Sequence, residues 1–441
     1  MSRRHVIVGG GIAALSAAEA IRQAEPRATI TVVGQEPGGF YSRPGLAYYL
    51  TDELPAAQLE LRTARELAAL RLERIVARAT ALAPDRHLLY LEDGRALRYD
   101  RLLLATGAAS IPPDFPGAGL DGVVHLDGLG DAERLVARCG AARSAVVVGG
   151  GSTALELVEG FAARGLETHY LMRGERYWAK VLDRVESAIV EARLVAAGVH
   201  LHRHASIREV LGEEGRVTGV STSSGQHLPV QLVAVAVGVR PRLVLAQAAG
   251  LRVDRGIVTT ECLETSAEDV YAAGDVAQVY DPVTRTAQLD TLWASAQAQG
   301  RTAGLNMAGL RLAYRQRPAL NVTRLGGVTT TIVGTVGASE DPDLLTLTRG
   351  QSERWLTDPD AWSVGGARRG DRLRVVVSGR SIVGAVIMGD QALSTPLAHL
   401  IGEQVDISAL RPALEAEPEA ALDLLLDFCH AHVRNRTAAH G

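Results

Sequence analysis

The chain opens on an apolar run, His5-Val6-Ile7-Val8, that breaks at Gly9-Gly10-Gly11 and passes into Ile12-Ala13-Ala14-Leu15-Ser16-Ala17-Ala18-Glu19-Ala20-Ile21-Arg22. The first part is β-branched and the second has helical spacing, which predicts a strand, a tight turn and a helix. Ala28-Thr29-Ile30-Thr31-Val32-Val33 predicts the second strand of a βαβ unit, followed by a glycine- and proline-rich loop over 34–45. A helix is expected over 58–70 and short strands over 74–105, with Asp93-Gly94 as a hairpin turn. The stretch Ile111-Pro112-Pro113-Asp114-Phe115-Pro116-Gly117 suits a linker and no regular element.

The opening pattern then returns. Ser144-Ala145-Val146-Val147-Val148 runs into Gly149-Gly150-Gly151, and Ser152-Thr153-Ala154-Leu155-Glu156-Leu157-Val158-Glu159 continues as a helix. His169-Tyr170-Leu171-Met172 is the next strand, and a further strand-like run spans 232–239. Val270-Tyr271-Ala272-Ala273-Gly274-Asp275 reads as a strand that delivers a carboxylate at a glycine turn, and a helix is expected from Trp293 to Met307. Beyond 320 the texture changes: strands at Thr329–Val333, Arg374–Val377 and Ile382–Met388, a turn at Ser378-Gly379-Arg380, and helices near 393–402 and 419–435. The expected fold is α/β, with two three-layer Rossmann-like parallel-sheet domains and a small C-terminal α+β domain. The expected boundaries are 1–112 with 247–318, 113–246, and 319–441.

Composition adds limits. A length of 441 residues suits about three domains of ~150 residues each. The net charge of −4 carries no nucleic-acid footprint, and Lys180 is the only lysine among otherwise arginine-based cations. No apolar run is long enough to span a bilayer, and a first strand at His5 leaves no room for a signal peptide. Cys139, Cys262 and Cys429 stand far apart, which argues against a disulfide framework, a metal centre or a cluster, and fits a reducing cytoplasm.

Two glycine turns in two βαβ units point to two dinucleotides. Gly9 and Gly149 allow the turn, Gly11 and Gly151 let a pyrophosphate approach the backbone, and Ala14 and Ala154 permit close helix–strand packing. The helix starts at Ile12-Ala13 and Ser152-Thr153 offer free N–H groups and a positive dipole end. Asp275 also suits a plain helix N-cap, a role compatible with ligand binding.

With both glycine turns, Ala105-Thr106-Gly107 and Ala272-Ala273-Gly274-Asp275 in the expected order, residues 1 to 310 resemble the FAD-dependent pyridine nucleotide–disulfide oxidoreductase superfamily. Tyr41-Ser42-Arg43-Pro44-Gly45-Leu46 is similar to a segment of rubredoxin reductases, ferredoxin reductases and nitrite reductase flavin domains. The tail Gly384-Ala385-Val386-Ile387-Met388-Gly389-Asp390 resembles, more loosely, the C-terminal domain of the rubredoxin and nitrite reductase branch. The resemblance implies FAD on the first turn and NADPH or NADH on the second. It places Asp275 with Gly274 at the flavin's ribityl or phosphate region, Arg43 along the FAD, and Thr106-Gly107 close to it, with Gly238 among the residues lining the cofactors. A solvated surface arginine is the alternative for Arg43, which the Tyr41-Ser42-Arg43-Pro44 setting disfavours. Glu36 is the candidate for the adenosine ribose, with Gln35 as its rival. Trp293 suits either a place near the isoalloxazine or an ordinary core position.

Three departures from the family pattern matter. No cysteine precedes Cys139, so disulfide chemistry beside a flavin is not expected. The family's lysine two positions after the leucine is Tyr48 here, while its glutamate partner is Glu156, and a Tyr48–Glu156 hydrogen bond is the expected substitute near the flavin N5. After the second strand of the nicotinamide unit, Arg173 and Arg176 replace the expected acid. A guanidinium pairs with a 2′-phosphate that a carboxylate would repel, which favours NADPH or dual use unless both arginines simply face solvent.

The resemblance thus implies an NAD(P)H-dependent flavin reductase with no catalytic side chain in the nucleophile sense. It would pass electrons to a small redox protein such as rubredoxin or ferredoxin and act as a cytoplasmic homodimer. The alternatives are an NAD(P)H oxidase or quinone reductase, and a redox-responsive binding module similar to apoptosis-inducing factor. The C-terminal domain would serve dimerisation or acceptor docking. Its Arg368-Arg369 pair could meet an acidic acceptor, although a solvated loop is the plainer reading.

Overall fold

Strand order places both glycine turns where ligands bind in open α/β sheets. In the computed structural model, which describes residues 2–281, 285–337, 362–368, 371–417 and 420–439, the first stretch runs β1 (Arg4–Val8), α1 (Ile12–Ala24), β2 (Thr29–Gly34), α2 (Leu46–Leu50), α3 (Ala64–Leu70), β3 (Leu72–Val76), β4 (Ala79–Ala83), β5 (Leu88–Leu91), β6 (Ala96–Arg98) and β7 (Arg101–Leu104). The middle stretch runs β8 (Ala108–Ser110), β9 (Val123–Val124), α4 (Leu129–Cys139), β10 (Ser144–Gly149), α5 (Ser152–Ala163), β11 (Glu167–Leu171), α6 (Arg184–Ala196), β12 (His200–His202), β13 (Ile207–Glu213), β14 (Arg216–Thr222), β15 (His227–Leu228), β16 (Leu232–Ala236), β17 (Val239–Pro241) and α7 (Val244–Ala248). Then come β18 (Ile257–Thr259), β19 (Val270–Ala272), β20 (Ala277–Asp281), β21 (Thr286–Leu289) and α8 (Trp293–Met307). The last part holds β22 (Leu320–Leu325), β23 (Val328–Gly334), β24 (Trp362–Arg368), β25 (Asp371–Ser378), β26 (Ser381–Met388), α9 (Ser394–Gly402), α10 (Arg411–Ala416) and α11 (Ala421–Ala439).

The first parallel sheet has the order β19-β7-β1-β2-β3, so residues near 270 close a sheet begun at residue 4. The second parallel sheet has the order β12-β11-β10-β16-β9. In each, the strand before the glycine turn lies in the middle, with the chain continuing to opposite sides, which is the switch point where ligands bind beyond the strand ends.

One face of the first sheet takes α1 and α8, which pack against each other. The approach is close because small residues face one another. A Cβ on Gly300 would fall inside the shell of the Ala13 carbonyl, and one on Gly304 inside that of Ala17. The other faces carry antiparallel layers, β4-β5-β6 for the first sheet and β13-β14-β15 for the second. The second hydrophobic core joins α4, α5 and β10 to Leu325, Val328, Ile332 and Met388 of the C-terminal sheet β22-β23-β26-β25-β24. That sheet's other face covers α9 to α11.

Two expected elements differ. The helix over 58–70 is a 3₁₀ turn, Ala56–Leu59, followed by α3 alone. Glu60 pairs with Tyr41 across the loop, and Thr63 restarts the helix through a capping box with Glu66. The run over 232–239 is cut into β16 and β17, because Gly238 takes φ +120 and turns the chain out of the sheet. Among the described residues no helix is long and apolar enough to cross a membrane. Arg369 lies outside the described residues, as does the side chain of Arg368.

Candidate cofactor sites

Gly9 leaves β1 with φ +140 and donates its N–H to the Val33 carbonyl at 2.8 Å, pinning the turn against β2. Gly11 is the N-cap of α1 and has no side chain to satisfy the first-turn N–H groups, and no acidic residue stands in that turn. Gly10 and Gly11 border open space, and Gly34 at the end of β2 lies against Gly10. Donors without side-chain caps, no acid in the first turn and an open cradle are what a pyrophosphate needs. The side chains of Ile12, Ala13 and Ala14 are buried beneath this cradle.

The second turn repeats the design. Gly151 caps α5 without a side-chain bond, Gly150 and Gly151 face open space, and no acid stands in the first turn, where Ser152 and Thr153 are half-buried and Ala154 is buried. A Cβ on Gly149 would collide with the Ala236 carbonyl and approach Ala154 Cβ to 2.9 Å.

Arg43 ties the first site together. Its guanidinium pairs with Glu36 at 3.0 Å, donates to the Asp127 carbonyl, and lies 5.5 Å from the centre of the Tyr41 ring. It also pulls down the Asp275 carboxyl, which burial raises to about 6 with help from Asp290. Glu36 and Gln35 are exposed at the end of β2. Thr106 and Gly107 lie where the chain leaves the sheet. The Thr106 hydroxyl donates to the Arg242 carbonyl at 3.3 Å, and Gly107 (φ +67) accepts from Arg242 N at 3.0 Å. Gly238 accepts from Ile111 N at 2.9 Å on the same crossover, where β8 pairs with β17.

Three residues of this neighbourhood escaped the sequence reading. Gln299 is buried and its side-chain oxygen accepts from Gly274 N at 2.8 Å, fixing the Gly274-Asp275 turn to α8. Asp290, also buried, accepts from Leu292 N and the Ser295 hydroxyl at the start of that helix. Asp127 accepts from Ser110 N at 2.8 Å and so holds the carbonyl that Arg43 uses. A buried glutamine on an alanine-rich helix face was the one available signal.

Arg176 requires a correction. It was expected beside Arg173 at a 2′-phosphate, but its side chain is buried and donates to the Leu182 carbonyl at 3.1 Å. The segment after β11 curls inward, leaving Arg173 exposed and Arg176 beneath the loop. Trp293 is partly buried and packs on the first core at the head of α8. Tyr48 lies under the Arg324 guanidinium, 5.1 Å from its ring centre, and Arg324 in turn pairs with Glu53 at 2.7 Å. Glu156 stands on α5, the helix that α2 packs against.

One turn beyond Glu156, Glu159 accepts from Gly327 N at 3.0 Å. Burial pushes its carboxyl up to about 7, and Glu53 adds to the rise, while the Gly327 N–H and Arg324 oppose it. A folded value above the ordinary 4.5 means that the native state holds the proton more tightly. This contribution is therefore greatest below about pH 4.5 and is lost as pH rises through 7. Glu159→Gln should remove that slope, improving stability by about 1–3 kcal/mol at pH 8 relative to its effect at pH 5. Denaturant midpoints of both proteins across this range check it; parallel profiles would exclude a raised Glu159.

The three cysteines are buried and unpaired. Burial raises each thiol, Cys429 to about 11, which is the opposite of a redox-active thiolate.

A profile of the pyridine nucleotide-disulphide oxidoreductase family matches residues 3–300. Rhodocoxin reductase of Rhodococcus erythropolis is 34% identical over 317 residues, 71% of this chain and 74% of that protein. Putidaredoxin reductase of Pseudomonas putida is 35% identical over 295 residues, 63% of this chain and 68% of that protein. Among solved structures, a ferredoxin reductase from Rhodopseudomonas palustris aligns with a TM-score of 0.82 at 26% identity, covering 92% of this chain and 96% of its own. The chain belongs to the pyridine nucleotide-disulphide oxidoreductase family, in its branch of reductases without redox cysteines.

Proposed function

We propose that this chain oxidises NAD(P)H through bound FAD and passes the electrons to a small redox protein of the rubredoxin or ferredoxin class. The observation that carries this reading is the pair of uncapped glycine turns at the switch points of two parallel sheets. The flavin, when bound, accepts a hydride and releases electrons, so the protein's task is binding and orientation. N–H groups of the Gly9–Ile12 turn would hold the FAD pyrophosphate, with Glu36 and Arg43 on the adenosine side and Asp275 toward the ribityl chain. N–H groups of the Gly149–Ser152 turn would hold the nicotinamide cofactor. A Tyr48–Glu156 contact near the flavin edge belongs to the same reading, supported by the packing of α2 on α5. So do a homodimer and a cytoplasmic setting, the latter suited by three unpaired thiols.

Anaerobic addition of NADPH or NADH should bleach the flavin, and rubredoxin or ferredoxin should reoxidise it faster than oxygen or a quinone does. Failure of both nicotinamides to bleach it would end the proposal; rapid turnover with air alone would make the protein an oxidase. Exposed Arg173 carries the preference for NADPH. Arg173→Glu should lower kcat/KM for NADPH relative to NADH by about 10-fold or more. An unchanged ratio would mean that Arg173 does not touch the 2′-phosphate.

A further inference from the structure

The outer edge of the second sheet gathers three imidazoles. His169 on β11 is paired in register with His200 on the edge strand β12, and His202 lies two residues further along. Side chains alternate along strands, so Glu167, His169, His200 and His202 share the face that Leu171 turns toward the β13-β14-β15 layer. His169 Nδ1 and His202 Nε2 are 3.2 Å apart, and the His169 ring is stacked on His200 with centroids 5.0 Å apart. On the far side of His169, its Nε2 faces Glu167 Oε1 at 3.6 Å, and His200 Nε2 faces the same oxygen at 3.8 Å. The Gln226 side chain, beyond β14, is a further hydrogen-bond partner of His202.

We propose that His169, His202 and His200 form a site for a divalent transition metal ion, zinc foremost. The edge of a tetrahedron with zinc–nitrogen bonds of about 2.05 Å is about 3.3 Å, close to the spacing of the two facing nitrogens. Glu167 stands where the carboxylate of a carboxylate–histidine–metal triad stands. At 3.6 Å it is within a small side-chain shift of accepting the Nε2–H, which would leave the His169 Nδ1 lone pair for the ion, on the side of His202. His200, two residues from His202 on the same strand and more than half exposed, supplies the third ligand by rotation about its side-chain bonds, and water the fourth. Imidazoles select zinc, copper, nickel or cobalt over magnesium and calcium.

A second cluster, His125 with Asp127 and Asp131, sets the comparison. There the carboxylates are already used, Asp127 by Ser110 and Asp131 by the N–H groups of Asp127 and Gly128 and by Arg134. The FAD-loaded full chain, stripped with chelator, should take one Co²⁺ per chain at pH 7.5 with a tetrahedral d–d band above 550 nm. Zn²⁺ should displace that ion. His202→Gln should abolish the band and His125→Gln should leave it intact, while Glu167→Gln should weaken binding by about 10-fold. Loss of the ion in His125→Gln with retention in His202→Gln would overturn the proposal, as would absence of any band in the wild type. Should His202→Gln fail to fold, carbethoxylation of the wild type decides the matter. Zn²⁺ must protect His200 and His202, read by peptide mass, and equal labelling with and without Zn²⁺ would refute the site.

Discussion

Gly9→Ala should yield a folded protein purified without flavin. A methyl group at Gly9 would fall inside the van der Waals shell of the Ala105 carbonyl oxygen, and Ala105 N itself donates to the Val8 carbonyl at 2.8 Å, so neither side can yield freely. The φ of +140 adds a backbone penalty of about 1–3 kcal/mol for any residue with a Cβ. Relief requires the turn to open, which moves the N–H groups of Gly10, Gly11 and Ile12 together. Positioned donors lose their value for a pyrophosphate when displaced by even an ångström, and we expect FAD affinity to fall by at least about 100-fold. Gly149→Ala supplies the control. Its clash is with Ala236 and Ala154 in the other sheet, so that variant should keep its yellow colour and lose rapid bleaching by NADPH. The ratio of absorbance at 450 nm to that at 280 nm, with stopped-flow reduction, separates the two. A flavin-replete Gly9→Ala would show that the first turn is not the FAD site.

Both turns, their βαβ settings and α8 from Trp293 to Met307 were legible because each depends on neighbours close in sequence. A β-branched run, a glycine and a helical period need no knowledge of the rest of the chain. The antiparallel layer over 207–228 was not legible, since its short strands carry no steady alternation and owe their burial to the sheet beneath. Arg173 and Arg176 show the same limit within a site. Their spacing fitted two cations at one phosphate, yet three residues in an irregular segment suffice to turn one outward and one into the Leu182 carbonyl. Gln299 failed for another reason. Its value lies in a backbone N–H on a different segment, Gly274, which sequence separation hides. Local chemistry could be read; which buried donor meets which acceptor could not.

Arg374→Ala should cost the most stability of any single change outside the glycine turns. Arg374 on β25 and Glu186 on α6 are 3% and 0% exposed, and they meet through two bonds, Nε to Oε1 at 2.8 Å and Nη2 to Oε2 at 3.0 Å. The same guanidinium donates to the carbonyls of Val181, at 2.8 Å, and Val336. Beside it, Arg372 pairs with Asp183 at 2.8 Å, and Asp183 caps α6 in a box with Glu186. One arginine therefore joins the C-terminal sheet to the helix behind β12 and β11. Removing it leaves a carboxylate buried without its cation, an error of about 3–5 kcal/mol. The attraction between the charges is not itself the source of that figure, because burying both is costly and their pairing largely offsets the cost. Hence Arg374→Met with Glu186→Leu should recover most of the loss, although either change alone is damaging. Unfolding of a chain with several cores need not be two-state, so the clearest measurement is local. Hydrogen exchange in Arg374→Ala should accelerate in α6 and in the β25–β26 pair while the first sheet stays protected. Uniform acceleration over both parallel sheets would mean that Arg374 supports the whole molecule instead of this one seam.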